Sequence, residues 1–196
     1  MNISTLRINK FLEFCGIILT LSLCAFNAIA ADARIDISSM YQTRLETGQY
    51  YVIFSTRSSA GLGPGHVYVT WTHEAPENNR TEFEAYGFYP QRGTEKLKTL
   101  FLSQGELRDD FFNEANTKDA VHLVVRVNKD QFAASLSKQR EWFVKSITGH
   151  SPYSSFASNC ITFASEIVAT LPIRAPKGKF KTPHGYIVEL IKLNKT

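Results

Sequence analysis

Ser158-Asn159-Cys160-Ile161-Thr162-Phe163-Ala164 reads as a polar cap opening an amphipathic helix, with a cysteine in the first turn. The first turn of a helix carries unpaired backbone N–H groups and the positive end of its dipole, and both favour a thiolate. Cys15 and Cys24, the other two cysteines, lie in the first thirty residues. That stretch has a basic start (Arg7, Lys10), an apolar run from Phe14 to Phe26 and a small-residue ending, Ala28-Ile29-Ala30. This is the layout of a cleavable secretory signal, and the apolar run is short for a membrane span. Cleavage after Ala30 leaves Cys160 as the lone thiol of an exported chain. An acylated-lipoprotein reading would use Cys24, but bulky Leu23 stands where a small residue is needed. A lone thiol in an oxidising compartment is either buried and inert or kept for its reactivity.

Residues 31–196 suffice for one domain with a proper core. Without Arg7, Lys10 and Glu13, the 22 basic and 18 acidic side chains become 20 and 17, a net charge of +3. That charge permits weak attraction to anionic surfaces. No basic stripe interleaved with aromatics marks a nucleic-acid partner, and no second apolar stretch marks a membrane anchor. The histidines are too scattered for a metal site, no cofactor motif is present, and Gly61-Leu62-Gly63-Pro64-Gly65 lacks the lysine and helix of a phosphate-binding loop.

Working outward from the cysteine, Tyr50 to Thr56 is β-branched and aromatic and predicts a strand. His66 to Thr72 alternates, with Val67, Val69 and Trp71 on one face and His66, Tyr68 and Thr70 on the other. Thr81 to Tyr89 is its expected antiparallel partner. Leu107 to Asp119 is too charged for core and reads as a connector, whereas Val121 to Val127 suits a central strand. Helices are expected over Lys129 to Thr148, over Cys160 to Leu171 before Pro172, and from the Thr182-Pro183 cap through Leu193.

A thiolate nucleophile needs an imidazole within reach and usually a third polar group to orient it. His66, at the head of a strand after a glycine-rich loop, is the first candidate for the base. Hairpin parity is expected to put Glu82, Glu84 and Tyr86 on the face of His66, with Glu84 as the orienter. His150 and His184 are rivals for the cysteine, each with a surface role as its plainer reading. Tyr86, Phe88 and Tyr89 either wall a substrate groove or pack the core. Lys177, Lys179 and Lys181 read as a solvated loop.

Gly65-His66-Val67-Tyr68-Val69, Tyr86-Gly87-Phe88-Tyr89-Pro90 and Asn159-Cys160-Ile161-Thr162-Phe163-Ala164 together resemble the circularly permuted branch of the NlpC-like, papain-related superfamily. There the histidine strand precedes the cysteine helix, an order shared by lecithin:retinol acyltransferase-like proteins. The resemblance runs from Tyr50 to Leu193. It implies an α+β domain, an antiparallel sheet packed against helices in permuted papain-like topology, with Cys160 as nucleophile and His66 as base. The third polar position falls on the return strand without clear alignment. Asn159, Tyr86 and Tyr89 are the candidate substrate-binding residues. The implied activity is exported, bacterial cysteine hydrolysis, first of peptidoglycan stem peptides and second of acyl bonds. Acyl transfer at the same site and a non-catalytic binding module are the alternatives.

Overall fold

The computed structural model describes residues 48–57, 65–75, 80–110, 120–177 and 181–195. The stretch expected to be a secretory signal and the Gly61–Gly65 stretch, apart from Gly65 itself, lie outside the described residues. Tyr50–Arg57 (β1), His66–Ala75 (β2), Arg80–Pro90 (β3), Ser103–Asp109 (β4), Val121–Val127 (β5) and Pro152–Tyr153 (β6) form one sheet in the order β5-β1-β2-β3-β4-β6, every pair antiparallel. The helices are Lys96–Phe101 (α1), Lys129–Ile147 (α2), Cys160–Val168 (α3) and Pro183–Asn194 (α4).

β1 is buried along almost its whole length because both of its faces are covered, and this accounts for its uninterrupted apolar and β-branched run. Among the described residues β5 pairs with β1 alone and lies at the sheet's edge, not its centre as its composition predicts. An edge strand that packs one face on helices can be as apolar as a central one, so composition did not separate the two.

One sheet face carries Val52, Phe54, Val67, Val69, Trp71 and Phe88, and the helices close over it. Trp142 of α2 joins the layers, its ring edge-on to Phe88 at 4.7 Å and to Phe163 of α3 at 5.6 Å. Its indole N–H donates to Glu166 at 3.0 Å, and that of Trp71 donates to Ser135 at 2.8 Å. Neither buried N–H is left unpaired.

α3 buries Cys160, Phe163, Ala164, Ile167 and Val168, the apolar stripe of a helix lying flat on a sheet. Cys160 is the first member of that stripe, so the periodicity that docks the helix also turns the sulfur toward β2. The helix stops at Val168, three residues short of the expected end, and the chain turns through Leu171. α2 and α4 start where expected, at an Asn128–Gln131 capping box and at the Thr182 cap before Pro183.

β4, the two-residue β6 and α1 are the elements the sequence reading missed. β4 looks like connector because its core face shows only one large apolar residue, Leu107, beside Gly105. Gly105 stands there because a Cβ would lie 2.1 Å from the ring of Phe88. The aromatic residue of β3 fills the space that an apolar side chain of β4 would otherwise signal.

Candidate active site

Asn159 caps α3 with its side-chain oxygen, accepting from the N–H groups of Ile161 (2.9 Å) and Thr162 (3.4 Å). The Thr162 hydroxyl accepts from the Asn159 N–H at 3.2 Å, completing the capping box. Asn159 also donates its amide to the carbonyl of Ser155 at 2.8 Å, which ties the preceding loop to the helix start. Cys160 follows as the first helical residue, a free thiol only 6 % exposed.

His66 opens β2 and stands beside that sulfur in the same cavity wall, close enough for each group to shift the ionisation of the other. On its other side, His66 Nε2 lies 3.4 Å from Oδ2 of Asp110. That is long for a hydrogen bond, so the contact is chiefly electrostatic.

Asp110 stands just past the end of β4, its N–H bonded to the carbonyl of Ala85 at 2.8 Å. Its side chain is fully buried. Arg57 donates to Oδ1 at 2.8 Å, and the Tyr89 hydroxyl, itself accepting from Arg57, donates to Oδ1 at 2.7 Å and Oδ2 at 2.9 Å. The ring of Tyr89 stacks on that of His66, centroids 4.0 Å apart. Arg108 lies over the ring of Tyr89 at 4.9 Å. A buried carboxylate so surrounded has its charge compensated and its lone pairs occupied.

The carboxylate reaches the imidazole across Gly87. A Cβ there would lie 2.2 Å from both Asp110 Oδ2 and His66 Nε2, so only glycine leaves room for the pair.

Burial disfavours every charge in this group, and the neighbours outweigh it. For Asp110, burial is opposed by His66, Tyr89 and Arg57, which bring the carboxyl down to about 2. His66, despite its burial, is raised above the usual imidazole range by the neighbouring carboxylate of Asp110 and sulfur of Cys160. Cys160, also against burial, is lowered by the neighbouring His66 and by the backbone N–H groups of Val67 and Ile161. The directions agree on a thiolate beside an imidazolium. The Tyr89 phenol is raised by burial and then by Asp110, which keeps it a proton donor.

Glu84 is not part of this cluster. Residues 76–79 join Ala75 to Arg80, and with an even number of connecting residues even positions of β2 face odd positions of β3. Glu84 therefore pairs with Trp71, on the face opposite His66, and its side chain is exposed. Tyr86 shares that face and packs against the core. Continued beyond Tyr68↔Gly87, the same register sets Tyr89 opposite His66. Tyr89 sits beneath the imidazole as a support rather than in the adjoining cavity's wall. Asn159 does line the cavity, with its side-chain groups engaged in the cap. Phe88 is core. His150 and His184 are exposed and line no part of the cavity.

The missed member is Asp110. Its signal was the Asp109-Asp110 pair ending a short alternating stretch, hidden because Gly105 stands where an apolar residue would have announced the strand.

Cys160 and His66 form part of the wall of a cavity of about 830 Å³, with Tyr153, Phe156, Ile161, Lys181 and Tyr186 among the other lining residues. The N–H of Cys160 donates to no acceptor among the described residues and stands at the helix start beside the sulfur. Among the described residues, no group of three or more His, Cys, Asp or Glu side chains could hold a metal, and no helix is long and apolar enough to cross a membrane.

No protein-family model matches the sequence, and no curated protein does. Among solved structures, the crystal structure of TseH, a type VI secretion system effector, superposes with a TM-score of 0.51 at 15 % identity, covering 76 % of this chain and 91 % of TseH. At that identity the likeness is one of fold: an α+β, papain-like architecture, an antiparallel sheet packed against helices.

Proposed function

We propose that the protein is an exported cysteine hydrolase with Cys160 as nucleophile, His66 as general acid and base, and Asp110 as the residue that holds the imidazole. The observation that carries this reading is the convergence of three side chains from separate elements, with His66 3.4 Å from Asp110 and sharing the cavity wall with Cys160. A structural thiol has no use for a charged histidine backed by a fully buried carboxylate, which is costly to maintain.

In this mechanism the Cys160 thiolate attacks the carbonyl carbon, and the oxygen's developing charge is met by the free N–H of Cys160 at the helix start. The imidazolium of His66 gives its proton to the departing amine or alkoxide as the C–N or C–O bond breaks, leaving a thioester. The neutral imidazole then takes a proton from water, whose oxygen attacks the thioester, and the sulfur leaves as thiolate with His66 again protonated. Asp110 stabilises the imidazolium throughout and takes no proton, since its carboxyl is held near 2.

The substrate proposed first is an amide of the peptidoglycan stem peptide, on the permuted papain-like resemblance and the secretory signal. The fold likeness to a secretion system effector is in keeping with a protein acting outside its own cytoplasm. Purified peptidoglycan incubated with wild-type protein is expected to release stem-peptide fragments, and with Cys160→Ala none. Equal release by the two proteins would remove the nucleophile assignment. Acyl release from ester substrates without peptidoglycan cleavage would move the activity to acyl bonds.

A further inference from the structure

α1 carries Leu97, Phe101 and, at its C-cap, Leu102, which are 70 %, 69 % and 69 % exposed, with Leu100 at 38 %. No residue of this helix is buried. Among the described residues, its hydrogen bonds to the neighbouring loop run through its backbone carbonyls: the Ser155 N–H and hydroxyl donate to the Thr99 carbonyl, both at 3.0 Å, and the Ser154 hydroxyl donates to the Leu100 carbonyl. Scattered apolar residues on a surface are ordinary. Here they are clustered, and Phe101 continues through a ring contact at 6.5 Å to Phe156, 62 % exposed, which lines the cavity of Cys160 and His66.

The charge around this ridge is basic. Among the described residues from Gln91 to Leu102, Arg92, Lys96 and Lys98 are all exposed, against one exposed acid, Glu95, which pairs with Lys98 at 3.4 Å. Arg92 lies 3.8 Å from Glu106, itself also engaged by Arg108. An apolar strip flanked by solvent-facing cations has the chemistry of an interfacial segment, with side chains for acyl tails and cations for phosphates.

We propose that α1 and Phe156 form a docking surface for an anionic lipid bilayer, seating the mouth of the Cys160 cavity against the membrane. The surface is independent of the bond the thiol attacks, so it stands or falls separately from the hydrolase reading.

The test is sedimentation of the protein, as recovered after export, with vesicles of phosphatidylcholine alone or mixed with phosphatidylglycerol. Wild type is expected to pellet with the mixed vesicles and far less with the neutral ones. Leu97→Ser/Phe101→Ser/Phe156→Ser is expected to weaken that binding by about tenfold or more through lost apolar burial. Lys96→Glu/Lys98→Glu, which touches no packed side chain and so keeps the test alive if the triple variant misfolds, is expected to weaken it by about tenfold and to mimic added salt. Cys160→Ala is expected to bind like wild type, which separates docking from catalysis. Wild type staying in the supernatant with anionic vesicles, or both ridge variants binding as wild type does, would overturn the proposal. So would concentration-dependent self-association abolished by the triple variant in the absence of vesicle binding, which would reassign the ridge to a second copy of the chain.

Discussion

Nε2 of His66 and Oδ2 of Asp110 lie 3.4 Å apart across a residue with no side chain. The Cβ that Gly87 lacks would stand 2.2 Å from each. The ion pair thus depends on a vacancy in the strand between its partners. Gly87→Ala is expected to push the pair apart and to cost about 1–3 kcal/mol of stability through overpacking. Alkylation of Cys160 near neutral pH is expected to slow at the same time. A variant with unchanged melting temperature and unchanged thiol reactivity would show that the site tolerates separation of His66 from Asp110.

The paired charges predict how the thiol responds to pH. An ordinary cysteine titrates at about 8.5 and alkylates slowly below it. Cys160 is lowered and His66 raised, which favours the thiolate–imidazolium pair, and wild type is expected to alkylate faster below that ordinary value than an unperturbed cysteine does. His66→Ala should move the inflection up, because burial of the sulfur is then opposed only by the backbone N–H groups of Val67 and Ile161. His150→Ala and His184→Ala, both exposed positions, should leave it in place. An inflection shared by wild type and His66→Ala would break the pairing.

Asp110→Asn is expected to reduce turnover by about 10²-fold or more by removing the charge that holds and stabilises the imidazolium. Glu84→Gln, at an exposed position on the other sheet face, should leave it unchanged. Comparing kcat in the two variants decides between the carboxylates, and loss in Glu84→Gln with activity kept in Asp110→Asn would reverse the assignment.

Asp110 also shapes acid stability. Its folded-state value of about 2 lies below the ordinary 3.8, so its contribution is full above about pH 4 and is lost as pH falls toward 2. Wild type is expected to lose melting temperature steeply over that window. Asp110→Asn should be less stable at neutral pH and flatter in acid, and parallel acid limbs for the two proteins would contradict the buried ion-pair network.

Asn159→Ala removes a capping box and the tie to Ser155. The expected cost is about 1 kcal/mol. Read as a cap, Asn159 should affect stability and kcat through the position of Cys160, with KM little changed. A rise in KM at unchanged stability would make it a substrate ligand.

The helices were legible because caps and apolar spacing are local properties. Asn159 and Thr182-Pro183 announce starts that the structure keeps, and the stripe from Cys160 to Val168 shows which side of α3 is buried. The strands from Tyr50, His66, Thr81 and Val121 were legible for the same reason, within a few residues at their ends. β5 was placed wrongly within the sheet because apolar content reports burial and says nothing of which neighbours do the burying.

By itself, the sequence determined the helix that presents Cys160 and the strand that begins at His66, since both follow from nearest-neighbour chemistry. Tertiary structure decided which carboxylate reaches the imidazole. Hairpin register sends Glu84 to the far face, and a strand disguised by Gly105 brings Asp110 over Gly87. Register and interlocking side-chain volumes are relations between segments distant along the chain, so no window of sequence contains them.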